Sequence, residues 1–154
     1  MKKEKLLISA CLMGENVKYN GKNNLMDLSK IKEQYELIPF CPEVAGGLPT
    51  PRSPSEMVSR HPLRLINKEG VAVTNEFIKG AKEALALVKR EKIKKALLKA
   101  NSPSCSSSLV YDGNFSGTLL QGEGVTTALL RKIGVEIVDE TNHFVLLKRL
   151  SLEK

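Results

Sequence analysis

Leu6-Leu7-Ile8-Ser9-Ala10-Cys11 is a short, mostly apolar stretch that follows charged residues and ends at a cysteine. A continuous apolar run of this length, followed by a polar loop, is typical of a strand buried on both faces. The loop spans residues 14–24 and contains glycine and asparagine. The sequence therefore predicts a buried first strand over residues 6–10 that carries Cys11 to an edge of the sheet.

Other segments continue the pattern of strands and helices along the chain. Residues 36–40 and 93–98 have the composition of buried strands, and residues 135–138 form a further short apolar run. Residues 74–92 place apolar side chains on one helical stripe, with Thr74 as the expected N-cap. Residues 125–132 predict a second helix, which Gly134 ends. Strands alternating with helices predict a single α/β domain over residues 1–154, with a mostly parallel sheet and helices on both faces.

Three segments are less regular in their pattern. Residues 41–54 contain so many prolines and glycines that we expect an irregular loop. Residues 63–66 predict a strand that starts directly after Pro62, and residues 111–115 predict a turn or hairpin. Residues 144–150 fit either a strand or a helix.

The three cysteines occupy equivalent places in this pattern. Cys11 and Cys41 directly follow predicted strands, and Cys105 lies just beyond the strand over residues 93–98. Because ligands bind outside the carboxyl ends of strands in an open parallel sheet, we expect the three thiols to converge. The alternative is that each cysteine is an inert, buried apolar residue, and the spacing alone leaves both interpretations open.

If the cysteines share a metal site, their number bears on which metal they hold. Structural zinc usually has four protein ligands, and the chain's two histidines, His61 and His143, are far from every cysteine in sequence. An iron–sulfur cluster of the [4Fe-4S] type accepts cysteine thiolates, and three of them leave one iron without a protein ligand. An open position of that kind suits Lewis-acid catalysis.

Composition limits the classes of partner. The 154 residues carry a formal net charge of +7, much of it in lysines near the N-terminus and in residues 89–99. Such runs indicate either a solvated surface or attraction to an anionic ligand. Tryptophan is absent and aromatic residues make up 5% of the chain, which argues against a stacking platform for nucleic acid.

Location is predicted from the apolar runs and the cysteine count. The first apolar stretch has only five residues before Cys11, whereas a secretory signal needs ~7–15. No run approaches the ~18–20 apolar residues that span a bilayer. An odd number of cysteines also argues against a disulfide framework. The sequence predicts a cytoplasmic protein with reduced thiols and no membrane partner.

Several motifs together resemble a known family. They are Ser9-Ala10-Cys11-Leu12-Met13-Gly14, Val17-Lys18-Tyr19-Asn20-Gly21, Cys41-Pro42-Glu43-Val44-Ala45-Gly46-Gly47-Leu48-Pro49-Thr50-Pro51-Arg52, Ser102-Pro103-Ser104-Cys105, Tyr111-Asp112-Gly113 and Gly122-Glu123-Gly124-Val125-Thr126. In these motifs the chain resembles the thiouracil desulfidase family of bacteria and archaea, also called thiouracil desulfurases. The motifs extend over nearly the whole domain.

The resemblance implies an activity, a cofactor and site residues. It implies a [4Fe-4S] cluster on Cys11, Cys41 and Cys105, and hydrolytic, non-redox removal of sulfur from a thiocarbonyl compound such as 2-thiouracil, with release of sulfide. It also implies an acidic residue two places after the second cysteine, matched by Glu43, which would act as general base, and a catalytic serine at Ser102, with Ser104 as the alternative. The chain departs from the family pattern at two positions, Asn20 in place of the usual Asp and Ser106 in place of the usual Gly.

Other readings of the same residues stay open. Glu43 is either a general base or half of a surface ion pair with Arg52, and Arg52 either binds an anionic substrate group or fixes its own loop. Gly122 and Gly124 either expose backbone amides to substrate at a helix start or only shape a turn. The competing functions are a non-enzymatic regulator that binds a metal or iron–sulfur cluster and a nucleotide-binding regulatory protein.

Overall fold

A computed structural model describes residues 3–147 of the chain. Its strands are β1 (Glu4–Ser9), β2 (Tyr35–Phe40), β3 (Ser55–Arg60), β4 (Leu63–Asn67), β5 (Lys95–Leu97), β6 (Leu109–Tyr111), β7 (Leu119–Gln121) and β8 (Glu136–Val138). Its helices are α1 (Ser29–Gln34), α2 (Pro42–Ala45), α3 (Thr74–Glu91) and α4 (Val125–Lys132), with 3-10 helices at Ala10–Met13 and His143–Leu146.

A four-stranded sheet in the order β2-β1-β5-β8 forms the centre of the molecule, and all its neighbouring strands are parallel. The chain leaves β1 toward β2 on one side and later returns to β5 on the other side. The strand order therefore reverses between β1 and β5. In parallel sheets the crevice at such a reversal, outside the carboxyl ends of the strands, is where ligands bind.

Alternating side chains of β1 divide the core into two layers. Leu6 and Ile8 pack on one face with residues around α1, including Ile31. Leu7 packs on the other face with Val88 of α3 and Leu130 of α4. The single α/β fold with helices on both faces of a mostly parallel sheet is thus confirmed.

Two antiparallel hairpins form separate two-stranded sheets beside the central sheet. Strands β3 and β4 pair with each other and pack on Phe77 of α3 through Met57 and Leu65. Strands β6 and β7 form the second hairpin, so the turn predicted at residues 111–115 lies within a hairpin. Strand β4 was expected from its sequence, but β3 was not.

Three local expectations need correction or completion. Thr74 is not the N-cap of α3: Val73 precedes the helix, and the Thr74 hydroxyl accepts a hydrogen bond from the Leu65 amide at 2.9 Å. The loop over residues 41–54 contains the one-turn helix α2, because proline is tolerated in the first turn of a helix. Residues 143–146 form a 3-10 helix, and the part of the ambiguous segment beyond residue 147 lies outside the described residues.

None of the helices within residues 3–147 has the length and apolar character that crossing a membrane requires.

Candidate active site

A cavity of about 480 Å³ lies at the carboxyl ends of β1, β2 and β5. Cys11, Cys41 and Cys105 all line it, and each is a free thiol. Cys11 sits in the 3-10 helix after β1, Cys41 directly precedes α2, and Cys105 lies in the loop after β5. The structure therefore brings the three cysteines together around one space.

Burial disfavours the charged form of all three thiols. It raises the pKa of Cys11, an effect that a hydrogen bond from Asn24 Nδ2 to the Cys11 sulfur at 3.4 Å opposes. Burial likewise raises the pKa of Cys41. For Cys105, burial raises the pKa to about 12, against a hydrogen bond with Ser9. Thiols in this setting become thiolates when a cation in the cavity compensates for their desolvation.

The arrangement of the thiols bears on what they could hold. Within residues 3–147, no group of three or more His, Cys, Asp or Glu side chains is placed to hold a metal ion. The three sulfurs line a shared cavity without meeting at one ion position. Three cysteine thiols on one cavity are a donor set that an iron–sulfur cluster accepts, whereas structural zinc usually has four protein ligands.

Glu43 enters the cavity from the first turn of α2, two residues after Cys41. The Glu43 carboxylate accepts a hydrogen bond from Arg52 Nε at 3.2 Å. Burial raises the pKa of Glu43, while the Arg52 guanidinium opposes this increase. Glu43 therefore forms the ion pair with Arg52 that the sequence offered as one reading, although the pair is largely buried instead of at the surface, and its carboxylate also lines the cavity.

Arg52 is held mainly by its own loop. Its Nη1 donates to the Pro49 carbonyl at 3.0 Å and to Thr50 Oγ1 at 3.1 Å, and its Nη2 donates to the Val17 carbonyl at 2.9 Å. With Nε on Glu43, a single guanidinium hydrogen is left over. Bidentate binding of an anionic substrate, one of the two expectations for Arg52, is not supported by this geometry.

The serine segment places its two candidates differently. Ser102 lines the cavity, and its Oγ accepts hydrogen bonds from the amides of Ser104 at 3.1 Å and Cys105 at 3.0 Å. No acceptor within residues 3–147 takes the Ser102 hydroxyl proton. Ser104 is fully buried, hydrogen-bonds Thr126 at 2.8 Å and does not line the cavity formed by the described residues. Ser102 is the one of the pair that a ligand can reach.

The glycine pair before α4 does not present free amides. The Gly122 amide donates to the Ser108 carbonyl and the Gly124 amide to the Ser106 carbonyl, both at 2.9 Å. The first amides of α4 donate to the carbonyls of Pro103 and Ser104. The expectation that Gly122 and Gly124 bind substrate is therefore wrong for their amides, because the loop that carries Cys105 occupies this helix end.

The two positions that depart from the family pattern lie outside the cavity lined by the described residues. The Asn20 side chain accepts a hydrogen bond from the Lys22 amide at 3.0 Å. Ser106 is buried, and its hydroxyl donates to the Leu109 carbonyl. Both side chains stabilise local turns.

Sequence reasoning missed part of the cavity wall. Glu56 of β3 and the hairpin residues Tyr111 and Phe115 line it, as do Asn24 and Lys99. Tyr111 belongs to a motif of the resembled family, so that motif was a usable signal. Nothing in the local sequence marks Glu56, since the strand that carries it was not predicted.

Comparisons with known proteins agree on one relationship. A family model described as 2-thiouracil desulfurase matches residues 6–142. The chain is 34% identical over 143 residues to the Uncharacterized protein YbbK of Bacillus subtilis (strain 168), covering 88% of this chain and 95% of that protein. The solved structure of the [4Fe-4S]-dependent thiouracil desulfidase TudS superposes with a TM-score of 0.87 at 42% identity, covering 94% of this chain and 95% of that one.

Proposed function

Because the chain belongs to the 2-thiouracil desulfurase family, we propose that it is a [4Fe-4S]-dependent desulfidase that hydrolyses a thiocarbonyl compound such as 2-thiouracil and releases sulfide. The family match confirms the resemblance carried by the sequence motifs, and the structural similarity to TudS extends over almost the whole of both chains. The reaction exchanges the sulfur of C=S for the oxygen of water without net oxidation or reduction.

Cys11, Cys41 and Cys105 are the residues that would hold the cluster. They line one cavity, and in the described part of the chain they are its only soft donors. A cluster held by three cysteines supplies a Lewis-acidic iron that has no protein ligand. Asn24 donates a hydrogen bond to the Cys11 sulfur and orients it.

Glu43 is placed to act as the general base. Its carboxylate lines the cavity, and burial raises its pKa, which makes the carboxylate a stronger proton acceptor. In our proposal Glu43 takes a proton from the water that attacks the thiocarbonyl carbon. The Arg52 guanidinium holds the Glu43 carboxylate in place and stabilises its negative charge in this buried position.

Ser102 is placed to donate a hydrogen bond to the substrate. Its oxygen already accepts from two backbone amides, so its own proton is directed to a further acceptor. A carbonyl oxygen or ring nitrogen of the substrate can accept this hydrogen bond as charge develops on the ring. Ser102 thereby complements Glu43, because one group donates a hydrogen bond and the other accepts a proton.

The location and the partners follow from the same chemistry. We propose that the enzyme works in the cytoplasm, where reducing conditions keep thiols available for a cluster. Its partner is a small thiolated nucleobase-like molecule, which the volume of the cavity admits.

The observation that carries the proposal is that three free thiols share one cavity with Glu43 and Ser102. The test is anaerobic reconstitution with iron and sulfide, followed by absorption spectroscopy and assays of iron, sulfide and uracil formation from 2-thiouracil. We expect about four iron atoms per chain and release of uracil and sulfide in equal amounts. A loaded cluster without turnover of any thiocarbonyl substrate would instead support a regulatory role. If the protein does not bind iron, the assignment of the cluster to these cysteines is wrong.

A further inference from the structure

Glu56 is a buried carboxylate in the wall of the cavity. It lies on β3, is only 7% exposed, and lines the same cavity as the cysteines. Its Oε1 accepts hydrogen bonds from the amides of Gly113 at 2.9 Å and Phe115 at 3.2 Å. No donor within residues 3–147 reaches its Oε2.

An unpaired carboxylate oxygen in a buried position needs a hydrogen-bond donor. No polar side-chain atom that is sealed from solvent among the described residues lacks a partner, so Oε2 is open to solvent, and the cavity is the space that Glu56 lines. A donor group of a bound molecule can therefore pair with it. A ligand that carries an N–H group at this point would complete the hydrogen bonding of Glu56.

The surroundings of Glu56 limit the shape of that molecule. The two amides on Oε1 belong to the turn of the β6–β7 hairpin, and Tyr111 and Phe115 of this hairpin line the cavity beside Glu56. The carboxylate thus anchors the turn of the hairpin that carries these two aromatic residues. Flat aromatic walls next to a hydrogen-bond acceptor suit a planar heterocycle with a ring N–H.

We propose that Glu56 is a specificity-determining residue that accepts the ring N–H of the substrate through Oε2. This inference rests on the proposed desulfidase function and narrows its substrate class to planar thiocarbonyl heterocycles with an unsubstituted ring N–H. Substrates with a methyl group on that nitrogen are rejected, because they leave the buried oxygen unpaired and place a methyl group against it.

Glu56→Gln separates substrate binding from support of the hairpin. The glutamine side-chain oxygen can still accept from the Gly113 and Phe115 amides, whereas its NH2 group replaces Oε2 and turns the acceptor into a donor. The matched control is Glu83→Gln on the exposed surface of α3. Thermal unfolding of both variants checks that the fold is retained.

The experiment combines this variant with methylated substrates. The loaded enzyme is assayed with 2-thiouracil, 1-methyl-2-thiouracil and 3-methyl-2-thiouracil. We expect Glu56→Gln to lower kcat/KM for 2-thiouracil roughly 10- to 100-fold, mainly through KM, as for loss of a hydrogen bond to a charged group. One methylated compound should already be poor for the natural enzyme and lose nothing further in the variant. An equal loss for all three substrates, or a loss confined to kcat, would overturn the proposal.

A binding measurement keeps this inference separate from the proposed reaction. Calorimetry of the loaded protein with uracil, 1-methyluracil and 3-methyluracil requires no turnover. The natural protein should bind one methylated uracil at least ~10-fold more weakly than uracil, and this holds as a test even if Glu56→Gln fails to fold. If the protein binds one methylated uracil more weakly but shows no desulfidase activity, the role of Glu56 is supported and the proposed function is refuted. Equal affinity for all three uracils would overturn the role of Glu56 even if sulfide release is confirmed.

Discussion

The loops that carry Cys41 and Cys105 approach the same cavity but are held by different forces. In the Cys41 loop, Arg52 links Glu43, Pro49, Thr50 and Val17 through a charged side chain. Around Cys105 itself, neutral hydroxyls and backbone amides supply the hydrogen bonds, as at Ser102, and charged side chains reach this loop at Ser107. One loop therefore presents a carboxylate to the cavity, and the other presents a hydroxyl and a more deeply buried thiol.

In both loops, however, the backbone next to the cysteine lies against a glycine that is in a helix or directly before one. A Cβ at Gly80 of α3 would lie 1.9 Å from the Pro42 carbonyl oxygen, directly beside Cys41. A Cβ at Gly124 would lie 2.3 Å from the Ser104 carbonyl, directly beside Cys105. These close contacts between two backbone segments hold each cysteine in place. The position of the cysteine is therefore set in the same way in both loops, whereas the polar side chain that each loop brings to the cavity differs.

The largest effects should come from the cysteines themselves. We expect Cys41→Ala and Cys105→Ala each to lose the cluster and all turnover, because a cluster with two protein ligands is poorly held. Cys105→Ala should also lower the stability of the cluster-free protein, by about 1 kcal/mol, since its side chain is buried. Iron content, sulfide release and denaturant unfolding measure this, with the exposed Ser108→Ala as control. Full iron content in either cysteine variant would contradict the ligand assignment.

Replacing Glu43 should affect the reaction and spare the cluster. Glu43→Gln keeps an oxygen for Arg52 Nε, so the loop should stay in place, but the proton acceptor is lost. We expect kcat to fall ~10²–10⁴-fold, the usual loss for a general base, with unchanged iron content. Steady-state kinetics and the cluster spectrum check this against Glu36→Gln, the same change at an exposed site. Undiminished turnover would exclude Glu43 as the base.

Ser102→Ala should produce a mixed effect. It removes the hydroxyl proposed to contact substrate and leaves the amides of Ser104 and Cys105 without their acceptor. We expect lower turnover with iron retained, together with a stability loss of about 1–3 kcal/mol. Ser102→Thr, which keeps the hydroxyl, should retain most of the turnover and most of the stability. If iron is lost along with turnover in Ser102→Ala, the residue has a structural role only.

The glycine contacts can be tested in the two loops separately. Gly80→Ala and Gly124→Ala each force a methyl group into backbone of the neighbouring loop, and we expect each to destabilise the fold by about 1–3 kcal/mol. Lys79→Ala, at an exposed position of α3 next to Gly80, serves as the control. Chemical denaturation measures the change, and iron content shows whether the adjacent cysteine has moved. Stability equal to the natural protein in both variants would refute this account of how the loops are held.

The smallest expected effect is a pH dependence at the end of the Cys105 loop. Ser107 donates to Asp139 Oδ2 at 2.8 Å. Burial alone would raise the pKa of Asp139, but hydrogen bonds from Thr141, Ser107 and Asn142 outweigh it and lower the pKa below its ordinary value. The stabilisation is therefore full above the ordinary pKa of ~3.9 and is lost as the pH falls toward the lower folded-state pKa.

Asp139→Asn should remove this contribution. The difference in unfolding free energy between the natural protein and the variant should shrink as the pH falls below about 4, first because Asp139 of the unfolded chain is protonated, and it is fully lost once the folded-state carboxylate is protonated too. Urea unfolding at a series of pH values measures it. A difference that stays constant across this range would show that the Asp139 charge does not contribute.

Much of the fold could be predicted because its signals are local. The apolar run ending at Cys11 predicted β1, and the stripe over residues 74–92 predicted α3 within one residue of its end. The motif with Glu43 and Arg52 pointed to groups that do line the cavity. Strand β3 was missed because its apolar residues, such as Met57, are few and the pairing with β4 supplies most of its order.

The candidate site shows where local signals stop being sufficient. Gly122 and Gly124 look like an anion site in sequence, yet loop carbonyls occupy the neighbouring amides. Glu56 meets Gly113 across 57 positions of sequence, so no spacing rule could reveal it. The sequence by itself determined the alternation of strands and helices and the residue types that can bind metal, because these depend on short-range periodicity and side-chain chemistry. Only the tertiary structure decided which polar groups remain open to the cavity, because that depends on hydrogen bonds between segments that are far apart in the chain.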